Sequence, residues 1–141
     1  MKERTNMAPV RWGVILTLLS LAGVVVIFEL GIRNGWTLAL KISEISLLVM
    51  LMICFILSYM KTGIWSFSHK PIKELDEREM EMTSRTLRAS YGLFSVIVLI
   101  LLFVFAVLEI KLSVVLAASL LLFAHLIPGM VIAFKEKALR F

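Results

Sequence analysis

Four long apolar runs separated by short charged segments dominate the chain. Residues 12–32 lie between Arg11 and Arg33 and contain one charge, Glu29; residues 42–60 lie between Lys41 and Lys61 and contain Glu44. Residues 91–108 and 112–134 contain none. At about 1.5 Å per helical residue each run reaches about 27 to 34 Å, enough to cross a hydrocarbon core of ~30 Å. Alternation of period two is missing, which argues against a membrane β-barrel. The pattern predicts an all-α integral membrane four-helix bundle in one domain, 1–141, with spans at about 12–32, 42–60, 91–108 and 112–134.

The connections are unequal. Residues 33–41 (RNGWTLALK) and the few residues around Glu109-Ile110-Lys111 join spans on one side, so there is no room there for a substrate-binding domain. Residues 61–90 form the one sizeable polar segment. It opens as a turn-like KTGIWSFSHKP and continues as IKELDEREMEMTSRTLRAS without Gly or Pro. Pro71 suits a first helical turn, and Glu74, Asp76, Glu77 and Glu79 suit the positive end of a helix dipole. At helical spacing Ile72, Leu75, Met80, Met82 and Leu87 fall on one side and Lys73, Glu74, Glu77, Arg78, Glu81, Arg85 and Arg88 on the other. Glu74–Arg78 and Glu81–Arg85 are spaced for i,i+4 ion pairs. One helix from about 72 to 108 is expected, an amphipathic extension leading into the third span.

Charge sets the orientation. Four spans place both termini on one side; that side carries twelve Lys and Arg and the other three, Arg33, Lys41 and Lys111. Basic loops stay in the cytoplasm, so both termini are expected inside a plasma (inner) membrane. Trp12, Tyr59, Trp65 and Tyr91 then fall at the inner interface as aromatic anchors. The basic start resembles a signal peptide, but its apolar run is too long and no small-residue cleavage site follows, so it reads as an uncleaved span. Composition agrees: of 141 residues 60% are apolar and 18% charged, and the mean hydropathy is +0.97. A soluble domain is nearer half apolar and a quarter charged. The net charge of +5 follows the topology, so no nucleic-acid partner is expected, and the lone Cys54 excludes a disulfide scaffold.

Candidate chemistry inside the bilayer is sparse. His125 lies near the middle of the fourth run, where an ionisable group defaults to a functional hypothesis. Imidazole relays protons, binds metals or ligates haem, but this is the single histidine within the four runs, so a bis-histidine haem needs two copies. The plainer reading is a neutral ring closing one interhelical hydrogen bond, in a seam made by the small residues Ser113, Ala117, Ala124 and Pro128. Ser46, Met50, Cys54 and Ser58 recur every four residues. Met50, Cys54 and His125 together would offer soft Cu(I) ligands, although Met and Cys also pack seams ordinarily. Glu29, Glu44 and Glu109, with Arg33, Lys41 and Lys111, form either an ion vestibule or interfacial charge paired locally. Glu29 lies opposite the Gly13/Thr17/Ser20/Gly31 face of its helix, which suits an intersubunit role.

No P-loop, HExxH, CxxC or Gly-x-Ser-x-Gly motif occurs, and no carboxylate orients a Cys54–His125 pair, so neither an enzyme nor a bound cofactor is expected. Six basic and five acidic residues in 61–90 make a nearly balanced face. Lipid-binding helices are mostly basic, so this balance favours protein contact through Asp76, Glu77, Arg78, Glu81 and Arg85 over a lipid surface; a solvated connector is the alternative.

The stretch KPIKELDEREMEMTSRTLRASY before an apolar helix resembles uncharacterised small prokaryotic four-helix membrane proteins with an Asp-Glu-Arg segment ahead of the third span. The resemblance covers about 35 residues and implies a prokaryotic origin and a contact role for Asp76, Glu77 and Arg78. Small multidrug exporters also have four short helices, but they place an acid mid-membrane in the first span, where residues 17–25 hold none. The leading expectation is a non-enzymatic accessory, assembly or regulatory subunit, working as a homo-oligomer or with a protein partner in the lipid bilayer. The alternative is an oligomeric small-ion channel or transporter using His125 and the outer glutamates; a metal- or haem-binding electron-transfer subunit is third.

Overall fold

A computed structural model describes residues 7–135. All the regular structure in them is helical: α1 (Met7–Asn34), α2 (Leu38–Phe55) running on as a π-helix (Ile56–Met60), the short α3 (Ile64–Ser68), α4 (Glu77–Val107) and α5 (Val114–Lys135). Four of these, counting α2 with its π-helical end, are long and apolar enough to cross a membrane. The helices outrun the apolar runs, because backbone hydrogen bonding continues into the polar flanks.

Local chemistry sets the ends. Asn34 closes α1 and Gly35 takes a left-handed φ of 84°, which glycine adopts without a Cβ clash. Thr37 Oγ1 then accepts from Leu40 N at 3.3 Å and opens α2, so the connection is shorter than residues 33–41 suggested. Trp36 folds back over Gly31, where a Cβ would sit 2.6 Å from the indole. At the turn between α4 and α5, Glu109 takes φ 53°, a left-handed backbone that a non-glycine residue rarely adopts.

The long polar helix starts at Glu77, not near 72. Pro71 begins a 3-10 turn instead (Ile72–Glu74), with Glu74 N donating to Pro71 O at 3.0 Å. Asp76 caps α4 by accepting from Glu79 N at 2.6 Å, and Glu79 Oε2 accepts from Asp76 N at 3.3 Å. This reciprocal capping box is written in the sequence as Asp-x-x-Glu, and it fixes the start more firmly than the apolar periodicity does. Lys70 Nζ also reaches Glu79 Oε2, at 2.9 Å. The Glu81–Arg85 pair forms as the spacing predicts, whereas no Glu74–Arg78 pair forms.

The packing order is α2, α1, α5, α4, with each helix touching its neighbours in that series. Burial follows: the most apolar windows of α1 and α5 are 28% and 33% buried, those of α2 and α4 only 6% each. The core lies toward the end carrying Met7 and Lys135. There Val14, Thr17, Tyr59, Ile64, Leu126 and Ile132 are almost fully enclosed, and Arg11 Nε donates to Ala133 O at 2.8 Å, satisfying a carbonyl in the last turn of α5.

Two glycines let the helices approach. Gly13 meets Ser58 so closely that a Cβ would collide with its hydroxyl. At Gly129 a Cβ would lie 2.5 Å from Tyr59 Cε1 and 2.8 Å from Ile64 Cγ2. The small-residue face of α1 is therefore consumed within the chain: Thr17, Ser20 and Gly31 are all buried. Gly129→Ala should lower the thermal midpoint in detergent by an amount corresponding to about 1–3 kcal/mol of overpacking. Gly92, with nothing within 4 Å, is the control: its alanine variant should be neutral or gain about 0.5–1 kcal/mol of helix propensity. Equal midpoints for the two variants would contradict the packing.

Candidate functional site

Two regions carry the chain's chemistry, and both depend on how residues 56–76 are folded. The π-helical turn at the end of α2, closed by Lys61 N donating to Ile56 O at 3.0 Å, widens the backbone and brings both Ser58 and Tyr59 inside. Tyr59 is 1% exposed and its hydroxyl donates to Leu126 O at 3.1 Å. It is a core residue, which corrects the interfacial-anchor expectation; Trp12 and Tyr91, at 66% and 76% exposed, have the exposure an anchor needs.

The chain then reverses at Gly63, whose φ is 75°. α3 runs back antiparallel to α5, with Ile64 at the level of Gly129 and His69 at the level of His125. An aromatic series follows this fold-back. Tyr59 stacks with Phe55 at 5.4 Å, Phe55 meets Trp65 edge-on at 5.2 Å, Trp65 lies 4.1 Å from His69, and the His69 and His125 rings are parallel within 1° at 6.1 Å.

His125 is exposed on α5, and its Nδ1 bonds to Leu121 O at 2.8 Å within its own helix. The interhelical bond expected from its place in the sequence is absent; what the ring meets is His69. The spacing of the runs hid this pairing, because His69 sits in a segment that read as a turn. The short apolar stretch Ile-Trp-Ser-Phe after Gly63 was the available signal that the turn folds back.

The other intramembrane candidates do not assemble with it. α2 packs through Leu47, Leu51, Phe55 and Tyr59, one position away from the Ser46–Met50–Cys54 stripe. Met50 is 38% exposed and Cys54 partly buried. Glu29 faces a cleft of about 480 Å³ between α1, α4 and α5, lined also by Arg33, Ile97, Leu101 and Phe105. Glu29 Oε1 and Glu44 Oε2 are buried without a hydrogen-bond partner, so the local pairs with Arg33 and Lys41 do not form. Among the described residues no three acidic, histidine or cysteine groups converge on a metal-sized site, and Glu29, Glu44 and Glu109 do not close into one.

The second region is the polar half of α4. One face is covered: Met82 packs against the core, as Leu75 does just ahead of the helix, and Thr86 and Ser90 are buried. Asp76 and Glu79 are taken up by the cap. Glu77, Arg78, Glu81, Arg85 and Arg88 are all exposed. Between them and the covered face runs a second stripe, Met80, Ser84, Leu87 and Tyr91, at alternating spacings of four and three; Met80, Leu87 and Tyr91 are 43%, 50% and 76% exposed. Sequence reading grouped Met80 and Leu87 with Met82 on one apolar side, whereas the structure divides them between two faces.

The fold-back is directly testable. With Cys54 replaced by Ser, His69→Cys and His125→Cys should be joined by a short bifunctional thiol reagent in native membranes, and a His69→Cys/Leu108→Cys control should not. Comparison with protein-family models, with curated proteins and with solved structures finds no match to this chain.

Proposed function

We propose that the chain is a non-enzymatic accessory subunit of an inner membrane, with both termini in the cytoplasm, that holds a partner polypeptide along the polar half of α4. The observation that carries this reading is the Met80–Ser84–Leu87–Tyr91 stripe. It has the alternating spacing of a helix–helix seam, it is flanked by Glu77, Glu81, Arg85 and Arg88, and no other part of the described chain covers it. Burying Met80 and Leu87 removes apolar area from water at about 25 cal/mol per Å², Tyr91 ends the stripe at the membrane interface, and the flanking charges select the partner and its register.

The partner is a different polypeptide rather than a second copy. Copies related by an axis along the membrane normal would bring their α4 helices together in parallel, so Glu77 would face Glu77 and Arg88 would face Arg88. Like charges across a seam oppose association. A helix with basic residues opposite Glu77 and Glu81 and acidic residues opposite Arg85 and Arg88 satisfies both ends. The small-residue face of α1 is occupied inside the chain and so is not free to pair with a second copy.

The test compares two variants purified gently from native membranes. Reversing Glu77, Arg78 and Glu81 together, or replacing Leu87 with Glu, should strip a stoichiometric polypeptide from the complex. Neither change touches the core, and the triple reversal loses only the exposed Glu81–Arg85 pair and one first-turn acid, so the thermal midpoint of the isolated chain should stay within about 1–1.5 kcal/mol of wild type. An unchanged complex in both variants would overturn the reading.

A further inference from the structure

We propose that the groove between α1 and α4 binds one single-chain phospholipid, a lysophospholipid whose free glycerol hydroxyl pairs with Glu29 and whose phosphate pairs with Arg33. α5 packs on both helices and forms the floor of this groove, which encloses about 480 Å³ at the end of the bundle away from Met7 and Lys135. Sites for small ligands run from roughly 300 to 1,000 Å³. Apart from Ser119, Glu29 and Arg33, every residue lining it is apolar. It shares no residue with the polar half of α4, so it stands or falls separately from the partner proposed for that surface.

The order of chemistry along α1 identifies the occupant. Leu18, Leu21, Val25 and Val26 line the deep part, Glu29 follows, and Arg33 stands one turn further out. The helix rises about 16 Å from Leu18 to Glu29, and one leaflet's share of a ~30 Å hydrocarbon core is about 15 Å. One acyl chain lying along the apolar part therefore brings the junction of chain and head to Glu29.

The two charges are not used on each other. Glu29 and Arg33 are spaced i,i+4, yet no ion pair joins them, and Glu29 Oε1 is enclosed without a hydrogen-bond partner. A carboxylate cut off from water is costly until a donor reaches it. A lysophospholipid carries a hydroxyl at that depth, whereas a diacyl phospholipid carries a second ester, which only accepts. Further out, Arg33 is exposed and presents guanidinium donors to the phosphate that comes next along the lipid. Other amphiphiles satisfy one residue and offend the other. An alkylammonium suits Glu29 but sets its charge near Arg33, and a fatty acid sets its carboxylate against Glu29.

The experiment adds palmitoyl lysophosphatidylcholine to the full chain in a sugar detergent and reads bound lipid by native mass spectrometry. One lipid per chain is expected. Acetylating its glycerol hydroxyl keeps the chain and the phosphate but removes the donor, and this derivative should bind at least tenfold more weakly, the cost of leaving a buried acceptor unpaired. Glu29→Gln offers an amide donor to the new ester, so it should erase the difference while keeping the wild-type thermal midpoint. Arg33→Gln should weaken both lipids alike, by about tenfold. Leu101→Trp, which fills the groove from α4, should exclude both. Wild type without stoichiometric lipid, equal binding of the two lipids, dipalmitoyl phosphatidylcholine held as tightly, or lipid kept by Leu101→Trp would each overturn the assignment. So would a polypeptide, instead of lipid, trapped by a photoreactive residue at Ile97 in native membranes.

Discussion

The contact at Gly129 is the constraint on which the rest depends. α5 lacks a side chain at that position, so Tyr59 from the π-helical end of α2 and Ile64 from α3 reach its backbone. Close packing of this kind tolerates little change in volume. It ties the second span to the fourth, reinforced by the Tyr59 hydroxyl on Leu126 O. It also turns residues 61–70 back along α5 rather than leaving them as a loose loop. From that reversal follow the position of His69, the reach of Lys70 to Glu79, and the start of α4 at its capping box.

The two chemical regions are thus joined by one short segment. Its first part places an imidazole beside His125; its second sets where the polar half of α4 begins, and hence which residues face outward.

Much of the architecture was legible in the sequence, for a definite reason. A bilayer demands long uninterrupted apolar helices, and four runs of that length leave little freedom. The polar helix leading into residues 91–108 was legible too, and Glu81–Arg85 forms where its spacing places it. Orientation rests on charge asymmetry alone. What stayed hidden were features set by packing between distant residues. A π-helical turn has no period of its own in the sequence, so Tyr59 looked like an interfacial aromatic. The histidine pair joins positions 56 residues apart through a reversal at Gly63, and periodicity says nothing about such contacts. The single apolar side read onto residues 72–87 divides in the structure, because α5 covers Met82 and Thr86 but leaves Met80 and Leu87 outside.

If this chain works while bound to another polypeptide, as proposed, native mass spectrometry of the particle released gently from its own membranes will reveal the pair. The expected mass lies above that of the 15.9 kDa chain and resolves on activation into this chain and one different polypeptide. The bare chain alone, or a particle made only of copies of it, would rule a partner out.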